Sequence, residues 1–483
     1  MDWWWLLLLL PAALVVFLAV IIARGLAFKP KAQPTVQNTV ETFDTDRAAE
    51  NLRALVRCKT VSYRDPALED NAEFQKFLAL LPSLYPNVFA ACEYTELPDR
   101  AILFRWKGNR ESDASPAVLM AHYDVVPVNE SAWDVDPFEA ILRDGRIWGR
   151  GTLDTKVTFN AILTAADHLI AQGFTPKADL YFAFSGGEEI NGAGASHVVD
   201  YFAERGIDPA FVLDEGGAVV ENVFPGVKAP CGLIGIAEKG MMDARYTAHS
   251  NGGHASAPKP NAPIDRLCAA CTRVLRRPFP AHLSAPVAEM FDTLGRHSSF
   301  LYRVLFANIR IFLPLLDMIC KKSGGELNAL MRTTVAFTQM QGSSASNVIP
   351  PEACMVSNMR LNPEDTLDSA LQYLQNTLKD TDVEVSRLHG MNPSRISRTD
   401  CEGWDKVASA VASTWKGCIV SPYLMVQCSD SRHYGRISDK VYRFSAMDLT
   451  SEERSTIHGN NESIRLETLN RSVEFYLRLM RVC

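Results

Sequence analysis

The chemistry in this sequence is concentrated where short apolar runs end. In AVLMAHYDVVP, His122 and Asp124 stand two residues apart, so on a strand an imidazole and a carboxylate face the same side. GRGTLDTK puts Asp154 directly before a helical pattern of Val157, Phe159, Ile162, Leu163, Ala166 and Leu169, a place that an N-cap would also fill. FSGGEEIN sets Glu188 beside Glu189, and adjacent carboxylates repel each other unless cations absorb their charge; a solvated loop is the plain alternative. VLDEGG ends a run at Asp214 with Glu215 beside it, and CSDSRHYG brings His433 after the apolar run 419–426. Two histidines and several carboxylates, with no cysteine among them, suit zinc held through nitrogen and oxygen. A pair of metals sharing one carboxylate needs about five protein ligands. These stretches supply that number and one further carboxylate to act as a base.

The elements that must position these residues follow from the same runs. AVLMA before His122, DLYFAF before Ser185 and AFVLD ending at Asp214 alternate with helical stretches. That alternation predicts an α/β domain with a mostly parallel central sheet. Such sheets take ligands beyond the carboxyl ends of their strands, which is where the histidines and carboxylates sit.

HYDVVP, GRGTLDTK, GGEE, LDEGG and SDSRHY, in this order and at these spacings, resemble the dinuclear zinc peptidases and aminoacylases. The likeness is to the carboxypeptidase S-like branch, which includes N-fatty-acyl-amino-acid synthase/hydrolases, and it covers residues 45–480. The resemblance implies two zinc ions per subunit. Asp154 would bridge them, His122 and Asp214 would complete one site, and Glu189 and His433 the other. Glu188 would be the general base and Asp124 the residue that orients His122. The family usually has DMK or DxKG after the bridging aspartate, whereas this chain reads Asp154-Thr155-Lys156-Val157.

The resemblance also implies an inserted α+β, ferredoxin-like lid and dimerisation domain at 239–363, leaving 45–238 and 364–483 as the catalytic domain. His254 in NGGHASAP would reach a neighbouring active site across a homodimer and polarise the scissile carbonyl. Asn347 in ASNVIPP and Arg360 in SNMRLNP would bind substrate, the fork of Arg360 suiting a carboxylate. His458 and Glu462 in IHGNNES match a final family motif near the metals. The implied activity is hydrolysis of amide bonds in N-acyl amino acids or at the C-terminal residue of small peptides. The alternatives are a dipeptidase or aminopeptidase of the same chemistry, and a membrane-anchored binding protein that has lost catalysis.

Composition narrows the field further. Apolar residues make up 47% and charged residues 22% of the chain, ordinary for a globular protein. The net charge of −7 and the lack of a basic run argue against a nucleic-acid partner. Eleven scattered cysteines do not form a disulfide framework, and the CxxC of Cys268 and Cys271 has no second pair.

The N-terminus is of different material. Residues 3–23 carry no charge, and at ~1.5 Å per helical residue they reach about 30 Å, enough to cross a bilayer core. Residues 1–28 therefore read as a single-pass membrane anchor, with Trp3, Trp4 and Trp5 at one interface; a secretory signal removed by cleavage is the alternative. Residues 29–44 read as a linker. A second apolar run, LYRVLFANIRIFLPLLDMIC at 301–320, contains Arg303, Arg310 and Asp317 and so is not another span. It predicts either an amphipathic helix on the lid's own sheet or an apolar wall beside the zinc site for a long acyl chain.

Overall fold

The computed structural model describes residues 4–109 and 115–483, so Trp3 lies outside the described residues. Its centre is an eight-stranded mixed sheet. From edge to edge the strands are Glu93–Leu97, Ala101–Trp106, Leu180–Ser185, Ala117–His122, Phe211–Val220, Val441–Asp448, Cys231–Glu238 and Ile419–Met425. The first two run antiparallel to their neighbours. The strands that carry the predicted site are paired in parallel, as expected. All six residues of Ala117–His122 and of Leu180–Ser185 are buried, as a sheet covered on both faces requires. Helix Lys156–Ala171 lies under helices Thr45–Val56, Pro86–Ala91 and Leu466–Arg481 and is itself mostly buried.

The lid is a four-stranded antiparallel sheet in the order Thr334–Gln341, Glu352–Leu361, Gly240–His249, Glu384–Met391. Helices Pro263–Arg276 and Leu367–Leu378 pack on it, giving the βαββαβ arrangement of a ferredoxin-like unit. The expected exit from the lid at 363 is too early. Glu384–Met391 pairs with Gly240–His249 in register Glu384↔Thr247, so the chain stays in the lid for about another thirty residues. It re-enters the catalytic domain beside the point where it left. Ser394 N donates to Glu238 O (3.1 Å), and Glu238 N donates to Ser394 Oγ (2.8 Å). Gly240 permits this close crossing, since a Cβ there would stand 2.7 Å from Met391 O and from Pro393 N.

Residues 301–320 do not pack on the lid's own sheet. Helices Ala285–His297, Phe300–Ala307, Ile309–Ser323 and Gly325–Met331 form one group, which Ala285–His297 seats on the edge strand Ile419–Met425 of the catalytic sheet. Val287, Met290, Phe291, Leu294, Phe306, Leu316 and Cys320 share a core with Leu233, Ile419 and Tyr423 of its outer strands, not with the lid core.

The N-terminal helix Trp4–Ala27 is long and apolar enough between Leu9 and Ala27 to cross a membrane, a description that also fits a signal sequence. Its last turns rest on helix Phe300–Ala307. A Cβ on Gly25 would meet Val304 Cγ2 at 2.5 Å, and Asn308 Nδ2 donates to Ile21 O at 3.0 Å. The predicted linker is docked on the catalytic domain. Val420 N donates to Gln33 Oε1 (3.0 Å), Gln37 N to Ser413 Oγ (2.8 Å) and Arg478 Nη2 to Thr39 O (2.7 Å). The Arg478 side chain is 2% exposed. Replacing Arg478 with Ala strands the Gln37 and Thr39 carbonyls and is expected to cost about 1–3 kcal/mol. Chemical denaturation gives the loss, and limited proteolysis should find new cuts within 29–44; a linker that stays resistant contradicts the assignment.

Candidate metal centre

His122 closes its strand opposite Ser185, the last residue of the neighbouring strand, with its ring buried. Nδ1 lies 3.0 Å from the Asp124 carbonyl oxygen and 3.4 Å from Asp124 Oδ1. Those contacts aim Nε2 at two carboxylates, Asp154 Oδ1 at 3.1 Å and Glu215 Oε1 at 3.5 Å. Asp124 is fully buried and holds more than the imidazole. Its Oδ1 accepts from Glu188 N (3.1 Å), and its Oδ2 accepts from Glu189 N (3.2 Å) and Ser62 Oγ (2.7 Å). One side chain thus fixes both the histidine and the peptide units of the paired glutamates.

Asp154 stands between two imidazoles. Oδ1 faces His122, and Oδ2 lies 2.9 Å from His458 Nε2, which is also 3.1 Å from Glu189 Oε2. The turn that presents Asp154 is held by Glu462, from the same loop as His458. Glu462 is fully buried and accepts from Leu153 N (2.6 Å), Gly151 N (3.1 Å), Asp154 N (3.2 Å) and Arg150 Nη1 (2.7 Å). Beyond the turn, buried Lys156 donates to Cys58 O (2.7 Å) and Leu55 O (3.1 Å), and burial pulls its pKa down to about 8.

The electrostatics of the cluster call for cations. Burial, reinforced by Asp154 and Asp214, pushes Glu215 up to about 8 although His122 pulls the other way. Burial likewise raises Glu188 well above the usual carboxylate range, with Glu215, Asp430 and Glu189 adding to it. Burial alone would lower His122, but Glu215, Asp124 and Asp154 drive it well up. Hydrogen bonds donated to Asp154 and Glu189 raise His458 to about 10. A divalent cation would serve the same carboxylates that raise the two histidines. His122, Glu188 and Glu215 form one group whose ligand atoms lie within 4.8 Å of one another, and His122, Asp154 and Glu189 form a second. The donor set, nitrogen and carboxylate oxygen without sulfur, fits zinc-type metals.

Two expected ligands are not brought to this cluster. Asp214 Oδ2 accepts from Ser431 N at 2.9 Å, while Glu215 beside it faces His122. His433 belongs to the 3₁₀ turn Asp430–Arg436, which buries Asp430, Ser431 and Tyr434. The His433 ring stays half-buried near Arg432, Arg436 and Asp200. Sequence reasoning missed Glu215, because an adjacent DE pair does not declare its facing. It underrated His458, although the IHGNNES motif had marked it; His458 also has a left-handed backbone (φ 58°), uncommon outside glycine and a pointer to functional sites.

The lid residues lie apart from the cluster. His254 is exposed in the short strand Gly253–His254, paired with Val348–Ile349, and its Nδ1 accepts from Ser256 N at 3.1 Å. Ala255 N donates to Asn347 O (2.9 Å), so His254 and Asn347 share one rim. Arg360 is half-buried, and its Nη1 donates to Cys428 Sγ (3.2 Å), next to the loop that carries Asp430.

A model of peptidase family M20/M25/M40 matches residues 118–482. The chain belongs to the M20 peptidase family. It is 33% identical over 477 residues to an N-fatty-acyl-amino acid synthase/hydrolase PM20D1 of Xenopus tropicalis, covering 96% of this chain and 92% of the relative. It is 31% identical over 463 residues to the probable carboxypeptidase S-like 2 of Dictyostelium discoideum, covering 94% and 89%. Among solved structures, the M20 metallo-carboxypeptidase Sso-CP2 of Sulfolobus solfataricus superposes with a TM-score of 0.66 at 16% identity, covering 90% of this chain and 98% of that one. The YXEP protein of Bacillus subtilis, described as a dinuclear metal binding peptidase, gives 0.55 at 14%, covering 91% and 98%. This M20 chain is accordingly a metallopeptidase or amidohydrolase of α/β fold, from a metal-dependent family.

The revised ligand set separates cleanly by substitution. After dialysis, Glu215→Gln and His458→Ala are expected to lose bound metal, whereas Asp214→Asn and His433→Ala retain it. Elemental analysis of the four variants decides, and retention by the first pair with loss by the second would restore the original assignment.

Proposed function

We propose that this M20 chain hydrolyses N-acyl amino acids, long-chain forms included, with two zinc ions per subunit. The observation that carries the reading is Asp154 set between His122 and His458 with Glu188 alongside. His122 and Glu215 would complete one metal site, Glu189 and His458 the other, and Asp154 would serve both. Zinc held there supplies Lewis acidity that lowers the pKa of water and polarises an amide carbonyl. Glu188 takes the proton of the attacking water and returns it to the leaving nitrogen, a task suited to a carboxyl raised by burial. Asp124 keeps His122 and the base in register. Arg360 grips the amino-acid carboxylate with its fork. His254 and Asn347, on an exposed lid rim, act on substrate from a second copy in a homodimer, His254 polarising the carbonyl.

The relative named as an N-fatty-acyl-amino acid synthase/hydrolase supports the acyl reading, and the carboxypeptidase S-like relative supports the peptidase one. The helix Trp4–Ala27 serves as a single-pass anchor in this reading. Its support is the seat of Ile21 and Gly25 on helix Phe300–Ala307, which signal cleavage would empty.

Glu188→Gln is expected to keep fold and metal content and to lower kcat by at least ~10²–10⁴-fold. Near-normal turnover would remove Glu188 from the base role. Across one amino acid acylated with chains from acetyl to palmitoyl, kcat/KM should climb, each buried methylene contributing at most ~0.8 kcal/mol. A flat or falling series, with dipeptides cleaved faster, favours the peptidase.

A further inference from the structure

Helix Ile309–Ser323 is apolar on two opposite faces. One, with Leu316 and Cys320, is buried in the core against the catalytic sheet. The other carries Ile311, Leu315, Met318 and Ile319, which are 45, 44, 61 and 48% exposed. Their spacings of three and four residues line them up in one stripe. The preceding helix opens with Phe300, Leu301 and Tyr302, and Leu301 is 77% exposed. Nothing among the described residues covers this stripe, and soluble surfaces seldom leave so continuous an apolar strip bare.

Two further observations say what covers it. The stripe belongs to the same helical group that seats the end of the N-terminal helix, through Gly25 against Val304 and Asn308 on Ile21 O. Arg296 also stacks over Phe28 at 4.2 Å. The stripe is also bordered by basic residues on an otherwise acidic chain. Arg303, Arg310 and Lys322 have no carboxylate partner among the described residues, while Lys321 pairs with Asp317.

We propose that the outer face of helix Ile309–Ser323, with the start of helix Phe300–Ala307, lies in the interfacial layer of the bilayer that helix Trp4–Ala27 crosses. Ile311, Leu315, Met318 and Ile319 sit among the upper acyl chains, and Arg310 and Lys322 meet lipid phosphates. The catalytic domain is then fixed to the membrane at two points, a span and a surface helix, and cannot swing freely about the span. The inference rests on the anchor reading of the N-terminal helix. A second copy of the chain would be the other occupant of such a stripe, but the unpaired basic border favours lipid, since two like-charged borders facing each other would repel.

The test uses the full chain in phosphatidylcholine–phosphatidylserine discs, with the photo-reactive residue p-benzoylphenylalanine replacing Leu301, Leu315 or Met318. Leu14 is the control for the span, and Leu68 and Met340 are exposed apolar controls on other surfaces. Hydrolytic activity verifies that each variant is folded. After irradiation, mass spectrometry should find lipid adducts at all three positions at yields like that of Leu14, and none at Leu68 or Met340. Adducts to a second copy of the chain at 315 and 318, or none there while Leu14 is labelled, overturn the membrane face but leave the anchor standing. No lipid adduct at Leu14 either overturns the anchor and the surface contact with it.

Discussion

A carboxylate set between two imidazoles is favoured in its ionised form when each of its oxygens faces a donor or a cation, and the backbone of Asp154 fixes it in that position. Its backbone N–H and those of Leu153 and Gly151 all end on Glu462, which Arg150 in turn neutralises. Because Glu462 and His458 share a loop, the residue that fastens the turn also brings the imidazole that faces Asp154 Oδ2. Removing Glu462 would therefore loosen two sides of the cluster at once, although it holds neither imidazole.

The same economy is seen at Asp124, where one buried carboxylate aligns His122 and the peptide units of Glu188 and Glu189. Below the cluster a second layer of carboxylates is held by hydrogen bonds and by Arg443. Glu238 accepts from Ser429 N (2.9 Å), Ser429 Oγ (3.1 Å), Ser431 Oγ (3.1 Å) and Arg443 Nε (2.5 Å), while Asp214 takes Ser431 N. The upper layer is rich in carboxylates and the lower one is closed by hydrogen bonds. Asp214, in the middle of strand Phe211–Val220, is held within this second layer by Ser431 N.

Much of this was legible in the sequence because it depends on strand ends. His122 closes an apolar run, Glu188 and Glu189 follow one across two glycines, Asp154 stands at the head of a helical pattern, and the four fall within the two ligand groups that share His122. What failed had physical reasons. Asp214 and Glu215 differ only in which face of the strand they take, and no apolar neighbour at that point breaks the tie. His433 lies on a 3₁₀ turn whose inward positions are its neighbours. The lid's end was set too early because its last strand, Glu384–Met391, is an edge strand with little burial and therefore little apolar periodicity. Residues 301–320 read as a helix on the lid's own sheet or as a wall for an acyl chain, whereas their buried residues share a core with the outer strands of the catalytic sheet, a contact that sequence order conceals.

The lid leaves and re-enters through adjacent strands that bond to each other at Glu238 and Ser394. Two tethers side by side behave as a single pin: the lid can rotate about their common direction, but it cannot slide across the sheet without breaking both bonds. Glu238 belongs to that pin and also holds Ser429 and Ser431 in the floor of the cluster. Glu238 thereby joins the crossing of the lid to the floor of the cluster through consecutive hydrogen bonds.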